Sequence, residues 1–218
     1  MDEKLYREIT RYLGYRSITP DEEINRMIEE CVTSLREKCT PRTIYRYFPI
    51  SWTDDELPDA IIGDAHFPGG DLARNLAGCS EAAVLAATLG PECDMLVRRA
   101  EVTSMARAAV YQASGAALIE EVVDDLNRKI IDECKARGLS CRPRYSPGYG
   151  DVPLWTQREV EHLIGMQRNV GITLSESYIM TPSKSVTAFI GVSDKEQNCV
   201  IEGCEACSMK DSCSYTSA

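Results

Sequence analysis

The sequence predicts a domain of mixed helix and strand, and three segments carry that expectation. "TPDEEINRMIEECVTSLREKC" (19–39) places Ile24, Met27, Ile28, Cys31 and Leu35 on one helical face. "RTIYRYF" (42–48) is short, aromatic and alternating, the pattern of a strand. From Thr103 to Arg137 there is no proline, and Gly138 stands where a helix C-terminal cap belongs.

Each element has a local reason. Thr19 suits the N-cap of the first of these helices, Pro20 its first position, and Glu22 closes a capping box. "AAVLAATLG" (82–90) is apolar throughout and reads as a buried element of either type. The long helix begins with "MARAAVYQASGAA", whose small residues let another backbone approach. It continues with Ile119, Val122, Val123, Leu126 and Ile130 on one face and acids opposite. "TQREVEHLIGMQRNVG" opens with Thr156 and Glu159, another capping box, and predicts a helix. "ITLSESYIM" and "SVTAFIGVS" read as strands joined by "TPSK".

Composition bounds the function. A chain of 218 residues with 44% apolar content can build one large domain, with or without an appendage. The net charge of −10 and pI near 4.8 set it against phosphate backbones, so nucleic acid is not an expected partner. The first residues, "MDEKLYREITRYLGY", lack an apolar signal region, and no stretch approaches the roughly 20 apolar residues of a membrane span. A cytoplasmic protein is expected, with its ten cysteines as thiols or metal ligands.

Residues 142–154, "RPRYSPGYGDVPL", form a loop of unusual content. Pro147 fixes its own φ, while Gly148 and Gly150 permit positive φ. Arg144 is a five-donor fork suited to a carboxylate, and Tyr145 and Tyr149 offer aromatic faces. Such a loop suits a zwitterionic ligand with an aromatic part. The plain alternative is a Pro/Gly connection with a solvated arginine.

Four cysteines close the chain: Cys199, Cys204, Cys207 and Cys213, in "CVIEGCEACSMKDSC". Four sulfurs, two of them in a C-x-x-C pair, satisfy either zinc or an iron–sulfur cluster. The last three resemble the C-x2-C-x5-C run of auxiliary [4Fe–4S] sites. The plain alternative is a polar tail with spare thiols. The other six cysteines fall at helical or apolar positions and read as small buried hydrophobes.

"DAHFPG" places Asp64, His66 and Gly69 in the D-x-H-x-x-G spacing of a cobalamin lower-ligand motif. That motif belongs in an alternating βα fold, which does not follow here. The expectation is a loop before a helix capped near Asp71, with corrinoid binding as the alternative. His162, on a predicted helix, has no evident ligand partner.

"RYSPGYGDVPL" resembles the R-x-x-P-G-Y signature of the S-adenosylmethionine-binding activation domain of cobalamin-dependent methionine synthase. "LSESYIMTPSKSVTAFIGVS" (174–193) is similar to that family's T-E-S-x-x-M-x-P strand pair, with Glu176, Ser177, Met180, Pro182, Ser185 and Val186 in register. Upstream, residues 69–100 resemble free-standing activation subunits found beside shortened methionine synthases. The resemblance implies an α+β fold, a curved antiparallel sheet with flanking helices over residues 1–193, followed by a Cys-rich tail, 194–218. It implies that Arg144 holds the S-adenosylmethionine carboxylate. Ser146, Gly148 and Tyr149 would shape the pocket, and Glu176 would orient the loop or face the ligand's amine. The family's adjacent tyrosines have no counterpart; "DKEQNC" stands there, leaving Tyr145, Tyr178 or Tyr215 to substitute.

The implied function is an accessory reactivation subunit. It would bring S-adenosylmethionine to Co(II) cobalamin on a partner methionine synthase or other corrinoid protein, with a low-potential electron donor. Two other classes remain: a metal-stabilised interaction module, and a small-molecule methyltransferase, which lacks its usual G-x-G strand–helix start here.

Overall fold

A computed structural model describes residues 1–15 and 18–194. In chain order the elements are α1 (Glu3–Tyr12), α2 (Glu22–Lys38), β1 (Arg42–Trp52), β2 (Ala60–Ile62), β3 (Ala65–Phe67) and α3 (Gly70–Leu76). Next come β4 (Glu81–Thr88), α4 (Pro91–Thr103), α5 (Met105–Ala136) and β5 (Ser140–Cys141). A 3-10 turn (Leu154–Thr156) leads into α6 (Gln157–Ile164) and α7 (Met166–Val170), then β6 (Thr173–Leu174), β7 (Met180–Thr181) and β8 (Ser185–Ser193). Six strands form one antiparallel sheet, ordered β3-β2-β1-β4-β8-β5, and β6 with β7 make a separate hairpin. The α+β class and antiparallel sheet are as expected.

Helices cover both faces of this sheet, which explains β4. It lies between β1 and β8, with Ala83, Leu85 and Ala87 in one core and Ala82, Val84 and Ala86 in the other. A strand buried on both faces reads as a continuous apolar run, which is why period alone did not identify it. The first core joins those residues to α1, α2, α4 and α5; the second packs β2, β3, α3, α6 and α7 against the opposite face. The small residues of α5 do allow close approach: a Cβ at Gly115 would lie 2.7 Å from the Cys93 sulfur of α4.

Several expected boundaries move. Asp21, not Thr19, caps α2, accepting the Ile24 N–H at 2.8 Å. Asp accepts this bond as readily as Thr and stands directly before the helical residues. Thr103 ends α4, and Ser104, in extended backbone, caps α5 through the Arg107 N–H. Gly138 has φ +71°, the expected left-handed stop. The helix expected from Thr156 breaks at Gly165 (φ +59°), and Thr156 makes no side-chain cap because its hydroxyl donates to the Pro153 carbonyl. "ITLSESYIM" is not one strand. Ser175 turns it back on itself, its N–H donating to the Ile179 carbonyl and its hydroxyl accepting the Ile179 N–H. Among the described residues no helix is long and apolar enough to cross a membrane.

Candidate functional site

The loop 142–154 is held on the edge of the large sheet. After β5 the chain stays beside β8: the Arg142 N–H donates to the Gly191 carbonyl at 2.8 Å. Tyr145 and Phe189 then exchange both backbone hydrogen bonds, at 2.9 and 2.7 Å. Beyond Tyr145 the chain closes a tight turn. The Gly148 N–H donates to the Val152 carbonyl, the Tyr149 N–H to Ser146 and the Val152 N–H to Tyr149, all within 3.2 Å. The Tyr145 hydroxyl donates to the Tyr149 carbonyl across the turn. Gly148 (φ +86°) and Gly150 (φ +53°) adopt backbone that other residues rarely adopt, and a Cβ at Gly150 would overlap the Asp71 carboxylate and the Tyr145 hydroxyl.

The same loop completes a distant helix. Helix α3 starts after Gly69, which has no side chain to cap it. Asp151 supplies the cap instead, accepting the Gly70 N–H at 2.8 Å and the Asp71 N–H at 3.1 Å. A carboxylate at that end also complements the helix dipole. "GGD" (69–71) and "YGD" (149–151), separate in sequence, therefore form one structure.

Arg144 is placed by charge. Its guanidinium bonds Glu120 at 2.5 Å and Asp124 at 3.1 Å, both on α5, and Asp124 also pairs with Lys4 at 2.9 Å. Glu120 and Asp124 are one helical turn apart and so face the same way. The Arg144 side chain is 27% exposed, while Tyr149 is 70% exposed. Sequence reading placed acids on the polar face of α5 but did not single out these two. Their i, i+4 spacing was the available signal.

The remaining expected site residues scatter. Ser146 sits inside the turn and Gly148 at its exposed corner. Glu176 lies exposed at the tip of the β6–β7 hairpin and makes no hydrogen bond or ion pair with the loop among the described residues. Beside it, Tyr178 has φ +64° and receives the Arg158 guanidinium over its ring, 4.8 Å from the centroid. Cys199, Cys204, Cys207, Cys213 and Tyr215 lie outside the described residues. Of the other six cysteines, Cys31, Cys79, Cys93 and Cys134 are buried and Cys39 and Cys141 half-buried. Among the described residues no group of three or more potential ligands is arranged to hold a metal.

"DAHFPG" does precede a helix, α3, but it forms part of a hairpin and not a loop. Asp64 lies in the turn of the β2–β3 hairpin, and His66 projects from β3 to solvent. The two do not pair with each other. His66 bonds Asp59 at 2.9 Å, and Asp59 also accepts the Gly69 N–H. Asp64 instead bonds His162 of α6 at 3.1 Å, so His162 does have a partner. That hydrogen bond raises the His162 pKa above its ordinary 6.5 and lowers that of Asp64. The pair is complete at pH values between the two. It is lost as pH rises through the raised imidazole value, and again as pH falls through the depressed carboxylate value. In an NMR titration His162 should show a midpoint above 6.5 that Asp64→Asn returns towards it. A midpoint unmoved by Asp64→Asn would refute the pairing.

Comparisons with known proteins bear on this part of the chain and on the fold as a whole. Residues 133–213, which include the loop, the hairpin and β8, match the family model described as "Vitamin B12 dependent methionine synthase, activation domain". No curated protein matches the chain. Among solved structures, the reactivation domain of MetH bound to AdoHcy superposes with a TM-score of 0.63 at 17% identity, covering 90% of this chain and 78% of that one. The chain therefore has the fold of the MetH reactivation domain and, over residues 133–213, matches the activation-domain family of vitamin B12 dependent methionine synthase.

Proposed function

We propose that the chain binds S-adenosylmethionine at the 144–152 loop and acts in trans, presenting its methyl group to cobalamin held by a partner methionine synthase or other corrinoid protein. The observation that carries this reading is Arg144, the arginine of the family-matched loop, set beside two carboxylates. An α-amino-acid group carries one charge of each sign. The guanidinium suits its carboxylate, and Glu120 and Asp124 suit its ammonium. A ligand carboxylate would take over donors that now bond the two acids, and the ligand ammonium would compensate those acids. AdoHcy, in the solved relative, is the demethylated form of S-adenosylmethionine, which is consistent with this pairing.

The chain's own share of the reaction is positioning. Gly148 and Gly150 permit the tight turn that carries Tyr149, and the exposed Tyr149 ring offers a face to the adenine. Tyr149, Leu154 and Trp155 are large exposed apolar side chains around the loop, a rim that a docked partner would cover, excluding water. Cobalamin on the partner would supply the methyl-accepting cobalt, and a low-potential donor the electron. No general base is required of this chain.

Mixing the chain with a Co(II) corrinoid methyltransferase, S-adenosylmethionine and a low-potential reductant should bleach the Co(II) absorbance. Omitting the chain should stop the bleaching, and His66→Ala should leave it intact. If His66→Ala abolishes turnover in a folded protein that binds cobalamin alone, the chain is a corrinoid carrier. Calorimetric titration with S-adenosylmethionine separates this reading from a metal-stabilised interaction module, which would show no binding.

We infer further that residues 194–218 form a metal-binding appendage through Cys199, Cys204, Cys207 and Cys213. Anaerobically purified protein should be brown if the metal is an iron–sulfur cluster and colourless with stoichiometric zinc otherwise. Protein without bound metal would refute the appendage. A cytoplasmic location accords with the thiol content.

A further inference from the structure

Strand β8 and the chain beside it change register at one point. Ser140 stands opposite Ser193 and Cys141 opposite Val192, and the Arg142 N–H still donates to the Gly191 carbonyl. The next pairing is Tyr145 with Phe189. Pro143 and Arg144 therefore face a single residue, Ile190. Two residues against one make a β-bulge, where proline is tolerated because it need not donate to the ladder.

The extra residue decides where Arg144 points. Along β8, Ile190 and Val192 belong to the core that includes α5, and Phe189 to the core that includes α3 and α6. In strict alternation Arg144 would stand opposite Phe189, on the side away from α5. A slip of one residue exchanges the two faces. With the bulge, Tyr145 takes the place opposite Phe189, and Arg144 turns to the α5 side, where Glu120 and Asp124 meet it.

Helix α3 holds the bulge. The Asn75 side-chain amide donates to the Pro143 carbonyl at 3.2 Å. One residue before the bulge, the Arg142 guanidinium donates at 2.8 Å to the carbonyl of Ala77, the C-cap of α3. The Asn75 amide oxygen is buried and has no hydrogen-bond partner among the described residues. Burying an unpaired acceptor is unfavourable, and the bond to Pro143 is what offsets it.

We propose that Asn75 is a positioning residue for the S-adenosylmethionine carboxylate: by holding the Pro143 carbonyl it fixes the bulge that aims Arg144. The proposal rests on the reading that Arg144 binds that carboxylate. Asn75 acts through the backbone of 143–144 and not on the ligand. Without its donor the bulge loses its tie to α3, and the guanidinium loses the fixed orientation that a two-point bond to a carboxylate needs.

Calorimetry on the full chain tests this with S-adenosylmethionine and its decarboxylated form, which keeps the sulfonium, the amine and the adenosine and lacks only the carboxylate. Asn75→Asp keeps the side-chain shape and removes the donor; Asn75→Ala removes both. Each should weaken S-adenosylmethionine about five- to tenfold, as the loss of one hydrogen bond does, and leave the decarboxylated ligand within about twofold. In an Arg144→Ala background, Asn75→Ala should have no further effect. Deleting Pro143 removes the extra residue and should weaken S-adenosylmethionine as much as Arg144→Ala does. Equal losses for the two ligands would make Asn75 a merely structural residue and overturn the proposal. Wild-type affinity in both Asn75 variants would overturn it while leaving the S-adenosylmethionine reading intact. A wild-type chain that binds no S-adenosylmethionine would overturn both. If the Asn75 variants do not fold, the Pro143 deletion decides: wild-type affinity there would overturn the bulge as the device that aims Arg144.

Discussion

Arg144→Ala should weaken S-adenosylmethionine binding by about 2 kcal/mol or more, roughly 30-fold, because it removes a charge-assisted fork from the ligand carboxylate. It also leaves Glu120 and Asp124 without the cation that now sits 2.5 and 3.1 Å away. Both carboxylates are partly exposed, so water takes up much of that loss and the effect on folding is smaller than that on binding. Arg144→Lys should also bind poorly, since a point charge cannot bridge two acceptors and a ligand in one plane. Calorimetry decides the assignment: an unchanged dissociation constant in both variants would remove Arg144 from the site. In the corrinoid assay Arg144→Ala should slow methylation severely.

Phe189→Ala should cost about 3–5 kcal/mol of stability, the range for removing a buried aromatic side chain. Phe189 is fully buried and packs edge-to-face on Phe67, with ring centroids 4.8 Å apart. Its backbone is also the strip to which Tyr145 is bonded. The loss should therefore appear twice: as a lower urea midpoint, and as faster exchange of the Tyr145 amide relative to the rest of β8. A stability loss below about 1 kcal/mol would mean that the second core is not built around this aromatic pair.

What the sequence disclosed followed from local chemistry. The long α5, its glycine stop and the strand at 42–48 are set by neighbours a few residues away, and all three are present. The loop was legible because its prolines and glycines carry their own dihedral constraints. Its surroundings were not, because they are built across the chain. Glu120 and Asp124 looked like any solvated acids on a helix face until Arg144 was brought to them from the sheet edge. Asp151 gave no sign that it caps a helix 80 residues earlier. Asp64 and His66, adjacent in pattern, were separated by tertiary partners that a spacing rule cannot see. The strand expected at 172–180 failed for a local reason: Ser175 hydrogen-bonds across its own turn and folds the segment back on itself.

The cap that Asp151 places on α3 has a further consequence. Two stretches of chain, 69–71 and 149–151, hold each other in shape, so neither can loosen alone. They should open as one cooperative unit, and their amides should share a single exchange free energy. A ligand that quiets the loop would then quiet α3 as well. Probes placed on α3, well away in sequence, would report occupancy of the loop without touching it.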